Sequence, residues 1–278
     1  MTNYNSKFFL AITLFGICIL NSNVNKPKKK KIKEIEYLFA HGFGGNKENL
    51  KYYCDCNFIP KPHQGLAFNG PEVTPGNKYP TLSKTAMAQE RDVEVLTNAL
   101  KNITKPVVGI GVSKGASTWI NAAAQPENIN KIHALVLESP FFDATDVLHK
   151  FFFLNYVPGG HYMTSKLTQG FLGYYKPTGP QPIQSIKKIT NKKLPILLIH
   201  SQEDSIVGVD HSRKLYESLL QEGFVHVHLL ETKTGAHANL PFKLQVQKAV
   251  NAFYKRYNLH HDPLLTANTH IYNFQTVE

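Results

Sequence analysis

Beyond residue 33 the chain alternates short apolar runs with longer amphipathic ones. EIEYLFA (34–40), GLAF (65–68), PVVGIGV (106–112), KIHALVLE (131–138), LPILLIH (194–200) and FVHVHLLE (224–231) are rich in β-branched, aromatic and aliphatic residues. Most are continuous rather than alternating, the pattern of parallel strands covered on both faces. Residues 83–102, 114–125, 209–222 and 240–257 instead repeat their apolar positions at helical spacing. Strand, helix, strand in repetition predicts right-handed crossovers and an α/β fold: a doubly wound, mostly parallel sheet of about six strands. Two stretches leave the pattern. Residues 52–81 contain Pro60, Pro62, Pro71, Pro75 and Pro80 and read as a loop. Residues 139–193 read as an insertion, so the expected organisation is a segment 1–33, a domain 34–258 interrupted at 139–193, and a tail 259–278.

The segment 1–33 differs from the rest in both hydropathy and charge. Residues 8–20, FFLAITLFGICIL, are apolar or small without a charge, and six lysines crowd residues 26–33. Thirteen residues fall short of the about 20 that span a bilayer and match the apolar core of a signal peptide. Export or membrane association through residues 8–20 is therefore expected, with a cytoplasmic chain as the alternative. The net charge of +11 reduces to +4 once the seven lysines of residues 1–33 are set aside. Only Arg91, Arg213 and Arg256 are arginine, the side chain best suited to phosphate and guanine, so no nucleic-acid partner is expected. The 278 residues, 42% hydrophobic, suffice for one large core. Cys54 and Cys56 are too close for an ordinary disulfide, and with Cys18 as the only other cysteine there is no second pair for zinc; no metal is expected.

Candidate chemistry centres on VVGIGVSKGAST (107–118). Gly111-Val112-Ser113-Lys114-Gly115 is G-x-S-x-G where a buried strand gives way to a helix. Glycines two residues before and after the serine remove side chains that would collide with neighbouring backbone at a sharp turn. Such a turn lifts the Ser113 hydroxyl above the sheet edge and aims the Lys114 N–H at whatever binds there. The Lys114 side chain is expected to point to solvent.

These features, with His41-Gly42-Phe43-Gly44-Gly45 after the first strand, Asp204 in LPILLIHSQEDSIV and His237 in KTGAHANL, resemble the α/β-hydrolase family across residues 35 to about 257. The resemblance implies a catalytic set of Ser113, Asp204 and His237 in that order, an oxyanion hole from the Phe43 and Lys114 N–H groups, and no cofactor. Glu138, Asp143 and Asp146 lie at or just after the end of the strand that follows the Ser113 turn, or elbow, where some hydrolases carry their acid, and Asp143 is the main rival to Asp204. Residues 139–193 fall where the family inserts a cap; of its ten aromatics, some are expected to face the cleft above Ser113 and line an apolar acyl pocket, the others to pack the cap onto the core. The expected activity is a serine hydrolase cleaving an ester, thioester or amide, a carboxylesterase or lipase-like enzyme ahead of a serine peptidase. A membrane-tethered, non-catalytic binding protein of the same fold is the competing class. The expected partner is a small-molecule acyl or peptide substrate, and the oligomeric state is left open.

Overall fold

A computed structural model describes residues 34–61, 63–151 and 158–266. Six strands, β1 (Glu36–Ala40), β2 (Leu66–Phe68), β3 (Val107–Val112), β4 (Ile132–Glu138), β5 (Ile196–Ser201) and β6 (Val227–Thr232), form one sheet in the order β2-β1-β3-β4-β5-β6. Every neighbouring pair is parallel. All six lie where the hydropathy pattern predicts them, because each is an apolar run bounded by turn-forming or polar residues.

The helices are α1 (Leu50–Asp55), α2 (Glu90–Lys101), α3 (Lys114–Ala123), α4 (Ala144–Phe151), α5 (Gly160–Phe171), α6 (Pro182–Ile186), α7 (Asp210–Gln221), α8 (Leu244–Arg256) and α9 (Pro263–Thr266). Strand side chains alternate between two apolar layers, as the two-residue period requires. On one face Leu38, Leu135, Leu137 and Leu198 pack with Leu96, Trp119, Ile186 and Leu215. On the other, Tyr37, Phe39, Ile110 and Leu197 pack with Tyr53, Val250 and Phe253. A third, smaller cluster joins Met87, Phe141, Val147, Leu148, Leu172 and Val207.

Residues 52–81 are more than the loop their prolines suggest. They complete α1, bury Phe58 and Ile59 in the core, and include the edge strand β2. The insertion is likewise divided, since Ile186 and Ile189 belong to the layer around Trp119 rather than to a cover over the sheet. Among the described residues no helix is long and apolar enough to cross a membrane. The apolar run 8–20 and the tail beyond 266 lie outside the described residues. Leu259 is fully buried and the Tyr37 hydroxyl donates to the His260 carbonyl at 2.9 Å, so the packed region extends past residue 258.

Candidate active site

β3 ends at Val112, α3 begins at Lys114, and Ser113 between them has φ 53° and ψ −118°. A non-glycine residue in this region is strained and persists only where its surroundings enforce it. The enforcement is the fit of α3 against β1 and β3. A Cβ on Gly111 would approach the Ala116 backbone to 2.7 Å, and one on Gly115 would run into the carbonyl of Ala40. Both glycines of the motif are therefore close-approach positions. Gly109, outside the motif, faces the Trp119 indole, whose Nε1–H donates to the Ile110 carbonyl at 3.0 Å.

The loop after β1 carries His41 and Phe43. His41 is buried, and its Nε2 accepts the Gly70 N–H at 2.7 Å. Nδ1 therefore carries the proton and donates to the Gly42 carbonyl at 2.7 Å. Burial, aided by the charge of Lys114, lowers the His41 pKa to about 4, so the ring is neutral. The Gly45 N–H closes a turn onto the Gly42 carbonyl at 3.1 Å, with Phe43 and Gly44 at its tip.

The Lys114 side chain does not reach solvent, contrary to the expectation from sequence. It is 2% exposed, with Nζ 2.8 Å from Asp92 Oδ1 and 2.9 Å from Glu72 Oε1. Burial opposes its charge, but the two carboxylates outweigh that cost and hold it protonated. Glu72 and Asp92 lie in a loop and at the start of α2, far from the elbow in sequence, so no local pattern announces the partnership.

Asp204 follows β5, and its Oδ2 accepts the His237 Nδ1–H at 2.7 Å. Its Oδ1 accepts the backbone N–H groups of Ile206 and Val207, each at 3.0 Å. Burial would raise this carboxyl, yet hydrogen bonds from His200 and His237 hold it far below the usual carboxylate range. His200 is a contributor the sequence reading did not single out. Its Nε2 lies 3.3 Å from Asp204 Oδ2 and 2.8 Å from the Val207 carbonyl, and its Nδ1 lies 2.6 Å from Ser212 Oγ. A polar ring ending the apolar run LPILLIH, four residues before Asp204, was the available signal.

Of the rival acids, Asp143 and Glu138 have other hydrogen-bond partners. Asp143 Oδ1 accepts the Thr145 N–H at 2.7 Å at the start of α4. Glu138 is buried at the end of β4, where it accepts the Tyr53 hydroxyl at 2.5 Å and the Leu240 N–H at 2.9 Å. It thereby ties the loop that carries His237 to the sheet, and burial raises its pKa.

Ser113, His237, Phe43 and Lys114 line one cavity of about 410 Å³. The remaining lining is apolar: Leu82, Met87, Phe141, Val147, Leu148, Phe171, Leu172, Ile206 and Val207. Of the aromatics of residues 139–193 whose side chains are described, Phe141 and Phe171 line the cavity, Tyr175 is buried without lining it, Phe142 packs against the layer around Trp119, and Tyr162 and Tyr174 are exposed. Aliphatic side chains supply most of the wall, and an aromatic count alone could not foresee that.

No protein-family model and no curated protein matches the sequence. Solved structures do match. The Pyrococcus furiosus esterase Pf2001 is 20% identical, with 81% of this chain and 82% of that chain covered and a TM-score of 0.57. TT1662 from Thermus thermophilus is 17% identical over 83% of this chain and 92% of that one, with a TM-score of 0.55. The acylaminoacyl peptidase of Pyrococcus horikoshii, 17% identical with a TM-score of 0.58, covers 84% of this chain, which spans only 39% of the peptidase. The chain has the α/β-hydrolase fold.

Proposed function

We propose that this protein is a serine hydrolase that cleaves uncharged esters of apolar acyl groups through an acyl-enzyme on Ser113. The carrying observation is that Ser113 and the Asp204-bound His237 open onto one apolar cavity. With its proton on Nδ1 held by Asp204, the His237 ring offers Nε2 as the base. Nε2 takes the Ser113 proton as Oγ bonds to the acyl carbon, and the carbonyl oxygen becomes an oxyanion received by the N–H groups of Phe43 and Lys114. Collapse breaks the ester bond, and His237 returns the proton to the departing alcohol. Water, deprotonated in the same way, then releases the acid and restores Ser113.

The lining favours a neutral acyl group. Its lysine, Lys114, has its charge turned away and neutralised by Glu72 and Asp92. The esterase named above agrees with this reading, while the acylaminoacyl peptidase keeps peptide cleavage as the rival. Residues 8–20 are proposed to take the chain to a membrane or out of the cell.

A fluorophosphonate should label Ser113 alone, and kcat/KM should rise along p-nitrophenyl esters from acetate toward octanoate, each added methylene contributing up to about 0.8 kcal/mol until the cavity is full. Folded protein that stays unlabelled refutes the hydrolase reading. Faster cleavage of peptidyl arylamides than of any ester in the series replaces the esterase with a peptidase.

A further inference from the structure

The two N–H groups assigned to the oxyanion come from different elements, Phe43 from the loop after β1 and Lys114 from the start of α3. One short segment, residues 69–72, touches the flanks of both. Asn69 Oδ1 accepts the Lys47 N–H at 2.8 Å, just beyond the Phe43 turn. The Gly70 N–H donates to His41 Nε2 at 2.7 Å, just before that turn. Two residues on, the fully buried Glu72 places Oε1 2.9 Å from Lys114 Nζ, a charge contact across to α3.

The far side of this arrangement is fixed independently. Asp92 binds Lys114 Nζ through Oδ1 at 2.8 Å and accepts the Ala88 N–H through Oδ2 at 2.7 Å. The segment itself is held by the Val73 N–H on the Gly70 carbonyl at 3.1 Å and by the Thr81 N–H on the Glu72 carbonyl at 2.8 Å. Space is as tight as the bonding: a Cβ on Gly70 would approach Glu72 Oε2 to 2.7 Å and Lys114 Nζ to 2.9 Å. A buried carboxylate pair on one lysine is costly to assemble, and a surface loop needs no such anchor to stay folded.

We infer that residues 69–72 are a strap that sets the separation of the Phe43 and Lys114 N–H groups, with Asn69 and Glu72 as positioning residues for the oxyanion. The inference rests on the hydrolase reading above. Donors fixed before charge develops stabilise the transition state, and small displacements forfeit that gain while leaving substrate binding nearly intact. Loosening the strap should therefore lower kcat and leave KM alone.

The test compares wild type with Asn69→Ala, Asn69→Asp and Glu72→Gln in the full chain. Each is assayed with a medium-chain p-nitrophenyl ester and with two inhibitors of the same acyl length, a trifluoromethyl ketone and a methyl ketone. Ser113 Oγ adds to the carbonyl carbon of the trifluoromethyl ketone as its proton passes to His237 Nε2, and the carbonyl oxygen becomes an oxyanion in the hole; the methyl ketone stays largely unreacted. Asn69 is half-exposed and its truncation removes one hydrogen bond, so this variant should keep the wild-type melting temperature. Asn69→Ala and Glu72→Gln should lose about tenfold or more in kcat and in trifluoromethyl ketone affinity, with KM and methyl ketone affinity within about twofold. Asn69→Asp, which keeps the acceptor, should recover most of the loss. Folded variants with wild-type kcat and trifluoromethyl ketone affinity overturn the strap alone, as does equal weakening of both ketones. A wild type that fluorophosphonate does not label overturns the hydrolase reading and the strap with it.

Discussion

His41 stands two residues before the proposed oxyanion donor Phe43, and its ring nitrogens play opposite parts: Nδ1 donates to the Gly42 carbonyl and Nε2 accepts from Gly70. A second proton would leave Nε2 with nothing to accept it and add charge beside Lys114. Burial and that lysine accordingly lower its pKa from 6.5 to about 4. In the unfolded chain the ring takes up its proton near pH 6.5, before the folded protein does. The stability it contributes is thus complete above about pH 6.5 and is lost as pH falls toward 4, a span worth on the order of 3 kcal/mol. His41→Gln keeps an acceptor for Gly70 and cannot titrate. Wild type should be the more stable at pH 7.5 in urea melts, and its lead should shrink or reverse by pH 4.5. A lead independent of pH would show that His41 is not the buried neutral ring described above.

At the scale of elements, the elbow is a packing problem among β1, β3 and α3, and its glycines answer two different demands. Gly115 sets how closely α3 approaches the end of β1, which separates the Phe43 loop from Lys114. Gly109 makes room for Trp119 within the core, its added Cβ coming to 2.6 Å from the indole. Gly109→Ala should cost about 1–3 kcal/mol through overpacking while kcat stays near wild type. Gly115→Ala should lower both the melting temperature and kcat, because the helix can yield only by moving the serine turn. Equal loss of kcat in both variants would mean that the core and the turn move as one.

The same contrast marks what the sequence discloses. Strands, crossover helices and the elbow are written in contiguous residues, as are the small-residue loops that bring Asp204 to His237. Contacts between distant residues are not. A lysine in G-x-S-x-G reads as a surface charge until folding brings Glu72 and Asp92 to it. Glu138 reads as a rival acid until Tyr53 and Leu240 are seen to occupy both its oxygens. His200 ends an apolar strand, with nothing nearby in the sequence to say that it reaches Asp204.

Across the whole molecule, charge and apolar surface suggest two ways of meeting a membrane. Residues 1–33 carry seven of the chain's lysines, no acid and the apolar run 8–20. The mouth of the cavity offers the exposed side chains Phe43, Leu82, Phe171 and Ile206. Basic residues near an anionic bilayer are worth about 1 kcal/mol each and are screened by salt, whereas an apolar rim is not. The lysine count favours the first route. Full-length protein should cosediment with phosphatidylserine vesicles and be released in part by salt, and a chain beginning near residue 34 should stay in the supernatant with ester hydrolysis within about twofold of wild type. Ser113→Ala should bind vesicles as wild type does, since the proposed anchor and the proposed reaction use different residues. If the shortened chain sediments as well as the full one, and salt does not release it, the contact belongs to the cavity rim and the role proposed for residues 8–20 is wrong.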